Sequence, residues 1–442
     1  MTTTASTRRA RTGRITFLVA LAVFAQESTW NLYDSQVPPL LREHTGSAAL
    51  VGLLMGMDNL LGIFIQPWMG NRSDRTRTSW GRRIPYLVVG MPLAALLFLA
   101  IPHAAASLPL LILVMFSYAL VANSFKPIAE SLLPDFIPPE RRSRANAVVK
   151  IASSLTVMVA ALISIFLIDD HPTSSFAIPA ILMVASLAVL AAKVRDSRSP
   201  AYQTALAEDR EQHGTAAPGV QGGAAASGVR GGAAAPGVRV RDTVLEIVRD
   251  PDRSRSLLIV SILLFGGAWA ASRALMTPYG MEALGMSRGE AGGLTLPSGV
   301  AFIVAAYPVA RLAERFGRLR VMMVGMSVFA AGMVLGTVVQ TPAGAVIGLC
   351  VAAAGASSFL VNAVVVLWNL APSDRVVGTY TGLYTVGWVS GGFLGPALVG
   401  GMVDLTGWPL LLLDVAVVAL LAVLAVARVH ALQRRSTATR AL

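Results

Sequence analysis

Cysteine is nearly missing from this sequence: Cys350 stands alone in 442 residues, so no intramolecular disulfide holds the fold. Charged side chains are sparse at 14%, and the five histidines (His44, His103, His171, His213 and His430) scatter over loops and segment ends. No H-E-x-x-H, C-x-x-C or nucleophile motif occurs, which argues against an intramembrane enzyme and against a cofactor or metal site. What the chain has in quantity is apolar residues, 55% of the whole, with a mean hydropathy of +0.64. Apolar segments of about 20 residues recur, each long enough to cross a ~30 Å hydrocarbon core. A formal charge of +12 would suggest nucleic acid in a soluble chain. Here basic loops on one side of a membrane account for it better, and no nucleic-acid partner is expected.

The charge gathers first between Gln66 and Gly90, in QPWMGNRSDRTRTSWGRRIPYLVVG. Apolar runs enter from Leu50 and leave through Pro85 and Tyr86, so this turn belongs in water beside an anionic surface. Gly70 and Gly81 let two helix ends approach closely, since no Cβ stands between the backbones. Asp74 is suited to face a neighbouring helix N-terminus, while Arg75, Arg82 and Arg83 seek phosphates or carboxylates. A second copy, YPVARLAERFGRLRVMMVG, carries Pro308, Glu314, Arg315, Gly317 and Arg318. Glu314 lies 240 positions after Asp74, and the same offset relates Arg315 to Arg75, Pro278 to Pro38 and Gly292 to Gly52. PERRSRAN, with Arg142, matches PSDRVVGT, with Arg375, across one small deletion. Ordered matches at nearly one offset make the chain two similar halves.

The expected fold is an all-α integral membrane protein of twelve transmembrane helices in two pseudo-symmetric six-helix bundles. Its spans fall near 15–38, 48–70, 84–103, 108–133, 143–167 and 175–194, then 255–280, 288–312, 319–340, 343–370, 376–402 and 408–429. A tail (1–14), a bundle (15–195), a connection (196–253), a second bundle (254–430) and a tail (431–442) follow from that reading. Within the connection, GVQGGAAASGVRGGAAAPGVR cannot bury a core and reads as a largely disordered linker. Residues 242–250 read as a short amphipathic helix on the membrane surface. Basic residues cluster in alternate loops, which places both termini in the cytoplasm.

Two six-helix halves with a long linker and paired G-x-x-x-D-R loops resemble the major facilitator superfamily over nearly the whole chain. QPWMGNRSDRTRTSWGRRIPY is closely similar to the proton-coupled sucrose and disaccharide transporters. It is more distantly similar to the glycoside–pentoside–hexuronide:cation symporters of the melibiose permease type, which share the W-G-basic-x-x-P pattern. ANSFKPIAESLLPDF followed by RRSRANA also resembles the fourth and fifth spans of the sucrose group. The resemblance implies rocker-switch alternating access around a site near mid-membrane. The Asp74 loop and its Glu314 copy would be cytoplasmic latches of the outward-open state. The expected partners are a glycoside or small saccharide and membrane lipid. A plasma-membrane monomer is expected, with protons as the coupling ion.

A charge in mid-span costs about 2.5–3.5 kcal/mol on insertion scales, so each one needs a reason. Glu27, Trp30, Asn31 and Asp34 share one face of span one by their spacing, and Glu27 lies near mid-depth. Glu27 is the first candidate for a coupling carboxylate or sugar-hydroxyl acceptor, the alternative being a structural pair with Lys126 or Lys150. The repeat offset sets Arg273 level with Asp34, so that pair reads as an external gate, with Trp269 nearby for stacking. Asp58 is a second proton-carrying candidate. Counting back from Pro67, the acidic pair that binds sodium in the melibiose permease type falls near Gly62 and Gln66, which favours protons. Lys126 and Glu130 have the i, i+4 spacing of an ion pair, with Lys150 at similar depth. Asn362, Trp368 and Asn369 of span ten are suited to sugar hydroxyls and the apolar sugar face, or to helix packing. Drug or metabolite efflux is the competing function. Its G-x-x-x-G-P signature is missing from span five but occurs in span eleven as Gly391, Gly395 and Pro396.

Overall fold

The computed structural model describes residues 2–137, 139–214, 253–370 and 377–440. Among them, eleven helices are long and apolar enough to cross a membrane. The first bundle holds α1 (Thr2–Arg42), α2 (Ala48–Asp74), α3 (Ile84–Ala104), α4 (Leu108–Phe136), α5 (Pro139–Ile163) and α6 (Ala177–Lys193). A π turn, Ser164–Ile168, prolongs α5, which completes the twelve spans. After α7 (Pro200–Gly214), the second bundle begins with a seventh span split into α8 (Ser254–Ala274) and α9 (Met276–Leu284). The eighth span is likewise split into α10 (Arg288–Gly293) and α11 (Leu296–Phe316). Then come α12 (Arg318–Val338), α13 (Pro342–Asn369), α14 (Val377–Thr406) and α15 (Leu411–Arg440).

Hydropathy does not register these splits, but proline marks them. Each break falls four residues before a proline: Pro278 has no N–H for the Ala274 carbonyl and Pro297 none for that of Gly293, although α1 runs unbroken through Pro38. Small residues do the rest of the packing. Gly332 lies against the Gly348 carbonyl and Gly355 against that of Gly325, so α12 and α13 meet backbone to backbone. Between the bundles, Gly52 abuts the Pro396 carbonyl, Gly56 that of Phe393, and Gly400 that of Ala48, which seals α2 against α14.

Two boundaries differ from expectation. The N-terminal tail is helical from Thr2 and runs straight into α1. The connection is folded through residue 214: α7 docks on the α2–α3 turn, with Tyr202 Oη donating to the Thr78 carbonyl at 2.9 Å and Arg77 Nε to Asp209 Oδ2 at 2.7 Å. The low-complexity stretch and residues 242–250 lie outside the described residues.

Candidate functional site

A cavity of about 670 Å³ lies between the bundles, walled by α1, α2, α4, α8 and α14. Glu27, Asp34, Asp58, Lys126 and Arg273 all line it, so these ionisable residues share one polar space instead of facing lipid. Glu27 Oε1 stands 3.0 Å from Lys126 Nζ and ties α1 to α4. The Lys126–Glu130 ion pair suggested by helical spacing does not form: Glu130 is exposed, while Glu27 reaches Lys126 from the facing helix. Arg273 Nη2 donates to Asn31 Oδ1 at 2.8 Å, and Asn31 Nδ2 donates to Thr156 Oγ1 at 2.8 Å. The cross-bundle link at this depth is therefore Arg273–Asn31–Thr156; no ion pair joins Asp34 to Arg273. Asp58 Oδ1 accepts from the Asn59 backbone N–H (2.7 Å) and side-chain amide (2.9 Å). Asn123 then bridges α4 to α2, donating to the Asp58 carbonyl at 3.1 Å and accepting from Gln66 Nε2 at 2.7 Å. Three carboxyl side chains share this space with two basic ones.

Flat apolar surface accompanies the charge. Trp30, Trp269 and Trp388 line the cavity; Trp30 packs on Tyr33 and Tyr118, Trp269 on Phe302 and Phe329, and Trp388 on Tyr384. The buried Trp30 Nε1 has no hydrogen-bond partner, an unmet donor in the wall. A side lobe of about 340 Å³ shares Glu27, Trp30, Asp34, Trp269 and Arg273 and adds Asn31 and Ser298. The span-ten candidates sit elsewhere. Asn362 is buried with its amide bonded to the Ser358 carbonyl of its own helix at 2.8 Å, and Asn369 is exposed beside a separate cavity. The side chains of Arg142, Lys150 and Trp368, and all of Arg375, lie outside the described residues. Sequence reading passed over Thr156, whose hydroxyl gives no signal inside an apolar span. It also passed over Gly392, where a Cβ would crowd the Asn59 side chain.

The bonds seen between the two bundles lie at Asn31 and toward the arginine-poor end. There, two aspartates cap helices of the opposite bundle. Asp404 of α14 accepts from Ser47 Oγ (2.7 Å) and from the Ala48 (2.6 Å) and Ala49 (3.1 Å) N–H groups at the start of α2. Asp169, just after α5, accepts from Ser287 Oγ (2.5 Å) and the Gly289 N–H (2.8 Å) at the start of α10. Ser47 and Ser287 stand 240 positions apart, so the two caps are related by the internal repeat. Arg42 Nη2 adds a 2.8 Å bridge to Glu282, and Arg288 a pair of 2.8 Å bonds to Gln36.

At the arginine-rich end a network of arginines and aspartates lies within the first bundle. Buried Arg83 reaches Asp74 (2.6 Å), Asp135 (2.9 Å) and Ser73 (3.0 Å), while Arg82 binds Asp135 at 2.6 Å. Gly81, at φ +104°, backs onto the Asp196 side chain, which accepts the Arg83 N–H. Burial pushes the Asp196 carboxyl upward, partly offset by backbone N–H donors. Gly70 behaves otherwise than expected: nothing lies within 4 Å of where its Cβ would stand. Arg75, Glu314, Arg315, Gly317 and Arg318 are exposed, and none bonds across to the other bundle.

A family model for the Major Facilitator Superfamily matches residues 19–301 and 257–441. The sucrose transport protein SUC4 of Arabidopsis thaliana is 30% identical over 92 residues, 21% of this chain and 18% of that protein. The human membrane-associated transporter protein is 30% identical over 69 residues, 16% of this chain and 13% of that one. The chain thus matches less than a fifth of either relative's length. A bacterial homologue of the human lysosomal transporter Spinster, inward-facing and occupied, has a TM-score of 0.69 at 14% identity, covering 96% of this chain and 97% of that one. The nucleoside transporter NupG reaches 0.68 at 12% identity, covering 94% and 99%. At such identities the likeness is one of fold.

Proposed function

This chain belongs to the Major Facilitator Superfamily, and from that premise we propose that it imports a small glycoside or saccharide across the plasma membrane together with protons. The observation that carries the proposal is the inter-bundle cavity. Its tryptophan faces suit the apolar side of a sugar ring, and its amides and carboxylates suit hydroxyls. The excess carboxylate supports proton coupling, since a site with three acids and two bases balances its charge by taking up one proton. The short match to a sucrose transport protein supports the substrate class. With the arginine-rich end taken as cytoplasmic, the aspartate caps close the outer side, and the conformation is inward-facing. Glu27 is the coupling carboxylate, and Lys126 is the partner it leaves when it accepts a proton.

Purified protein in liposomes tests this. Adding saccharides outside should acidify the lumen, and a protonophore should abolish accumulation while sparing exchange. Efflux would instead move protons opposite to an amphipathic drug, with no saccharide response, and that outcome would overturn the proposal.

A further inference from the structure

A second cavity, of about 600 Å³, opens at the arginine-rich end of the second bundle, between the α11–α12 turn and the ends of α13 and α15. Arg318, Arg320 and His430 line it above an apolar floor that includes Leu319 and Val366. Arg320 and Arg434 act electrostatically on the His430 ring, so like charges crowd together here. No carboxylate stands within ion-pair distance of Arg318, Arg320 or Arg434 among the described residues, and Glu314 is the one acid in the lining. The repeat makes this informative. The matching turn of the first bundle neutralises Arg82 and Arg83 with Asp135 and Asp74, whereas among the described residues Glu314, the repeat counterpart of Asp74, makes no ion pair with Arg318 or Arg320. Clustered cations around a void with an apolar base call for an anion from outside the chain.

We propose that this cavity binds a phosphate group, that of an anionic phospholipid seated with its acyl chains along the floor. The site is separate from the transport cavity and does not depend on which solute that cavity carries. Native mass spectrometry of the full-length protein, exchanged into phosphatidylglycerol or phosphatidylcholine micelles, tests it. Wild type should retain phosphatidylglycerol preferentially, and Arg320→Gln with His430→Gln should reduce that retention about tenfold. Arg311→Gln, on a side chain stacked over Tyr307, should leave it unchanged. Hydrogen exchange of wild type gives a variant-free readout: residues 316–322 should be protected by phosphatidylglycerol and not by phosphatidylcholine. Saturable protection by inorganic phosphate alone would assign the site to a free phosphate and overturn the lipid seat. Equal retention in wild type and double variant, or absent protection, would overturn the site altogether.

Discussion

At the scale of single residues, the Glu27–Lys126 contact does the most to define what the cavity can do. Both side chains keep partial exposure, 19% and 29%, so the pair is wetted by the cavity and a proton can reach it. Glu27→Gln should abolish proton-coupled accumulation while leaving counterflow exchange largely intact; unchanged accumulation in liposomes would remove Glu27 from the coupling step. The same substitution removes the carboxylate in contact with Lys126, at a cost on the order of 1–3 kcal/mol. Glu27→Gln combined with Lys126→Gln should therefore melt closer to wild type than Glu27→Gln alone. A double variant less stable than the single one would mean that the pair is not an isolated couple.

At the scale of elements, closure depends on α2 against α14 and on the two aspartate caps. A Cβ at Gly52 would run into the Pro396 carbonyl, and nothing flexible is there to give way. Gly52→Val should therefore hold the arginine-poor end open. Replacing Cys350 by Ala gives a cysteine-free background, and a cysteine introduced at Asn59 then reports entry to the cavity. Labelling from the arginine-poor side should rise about tenfold in the Gly52→Val chain, and an unchanged rate would mean that α2 and α14 close differently. The caps act more gently. Asp404 is exposed, so its loss should cost the closed state about 1 kcal/mol, roughly a fivefold shift in population. Asp404→Asn and Asp169→Asn should each raise Asn59-site labelling by about that factor, and together by the product, because the caps sit on different helix pairs.

For the molecule as a whole, the asymmetry between ends is the functional statement. One end is joined by caps and an ion pair across the bundles; at the other, the Asp74–Arg83–Asp135 set ties α2, α3 and α4 within one bundle. Rocking the bundles about the cavity must break the first group and bring the arginine-rich turns together. Asp74→Ala should slow transport without altering substrate preference, as measured by competition among saccharides; a changed preference would place Asp74 in recognition instead of gating.

The bundle count and the internal repeat are determined by sequence alone, and so is the expectation that mid-span charges turn toward a shared cavity. Helix-length apolar runs have few folds open to them in lipid, and a charge exposed to acyl chains is too costly to keep. Helical spacing also places residues on faces, so Glu27, Trp30 and Asp34 could be seen to look one way. Only the tertiary structure decided the partners. Lys126 takes Glu27, a pairing the sequence left open beside Glu130, and Arg273 meets Asn31 in place of Asp34, because those contacts depend on how far apart neighbouring helices stand and how they tilt. The reciprocal caps of Asp169 and Asp404 were hidden for the same reason: a carboxylate in a short loop reads as solvated until a helix from the opposite bundle is placed beside it.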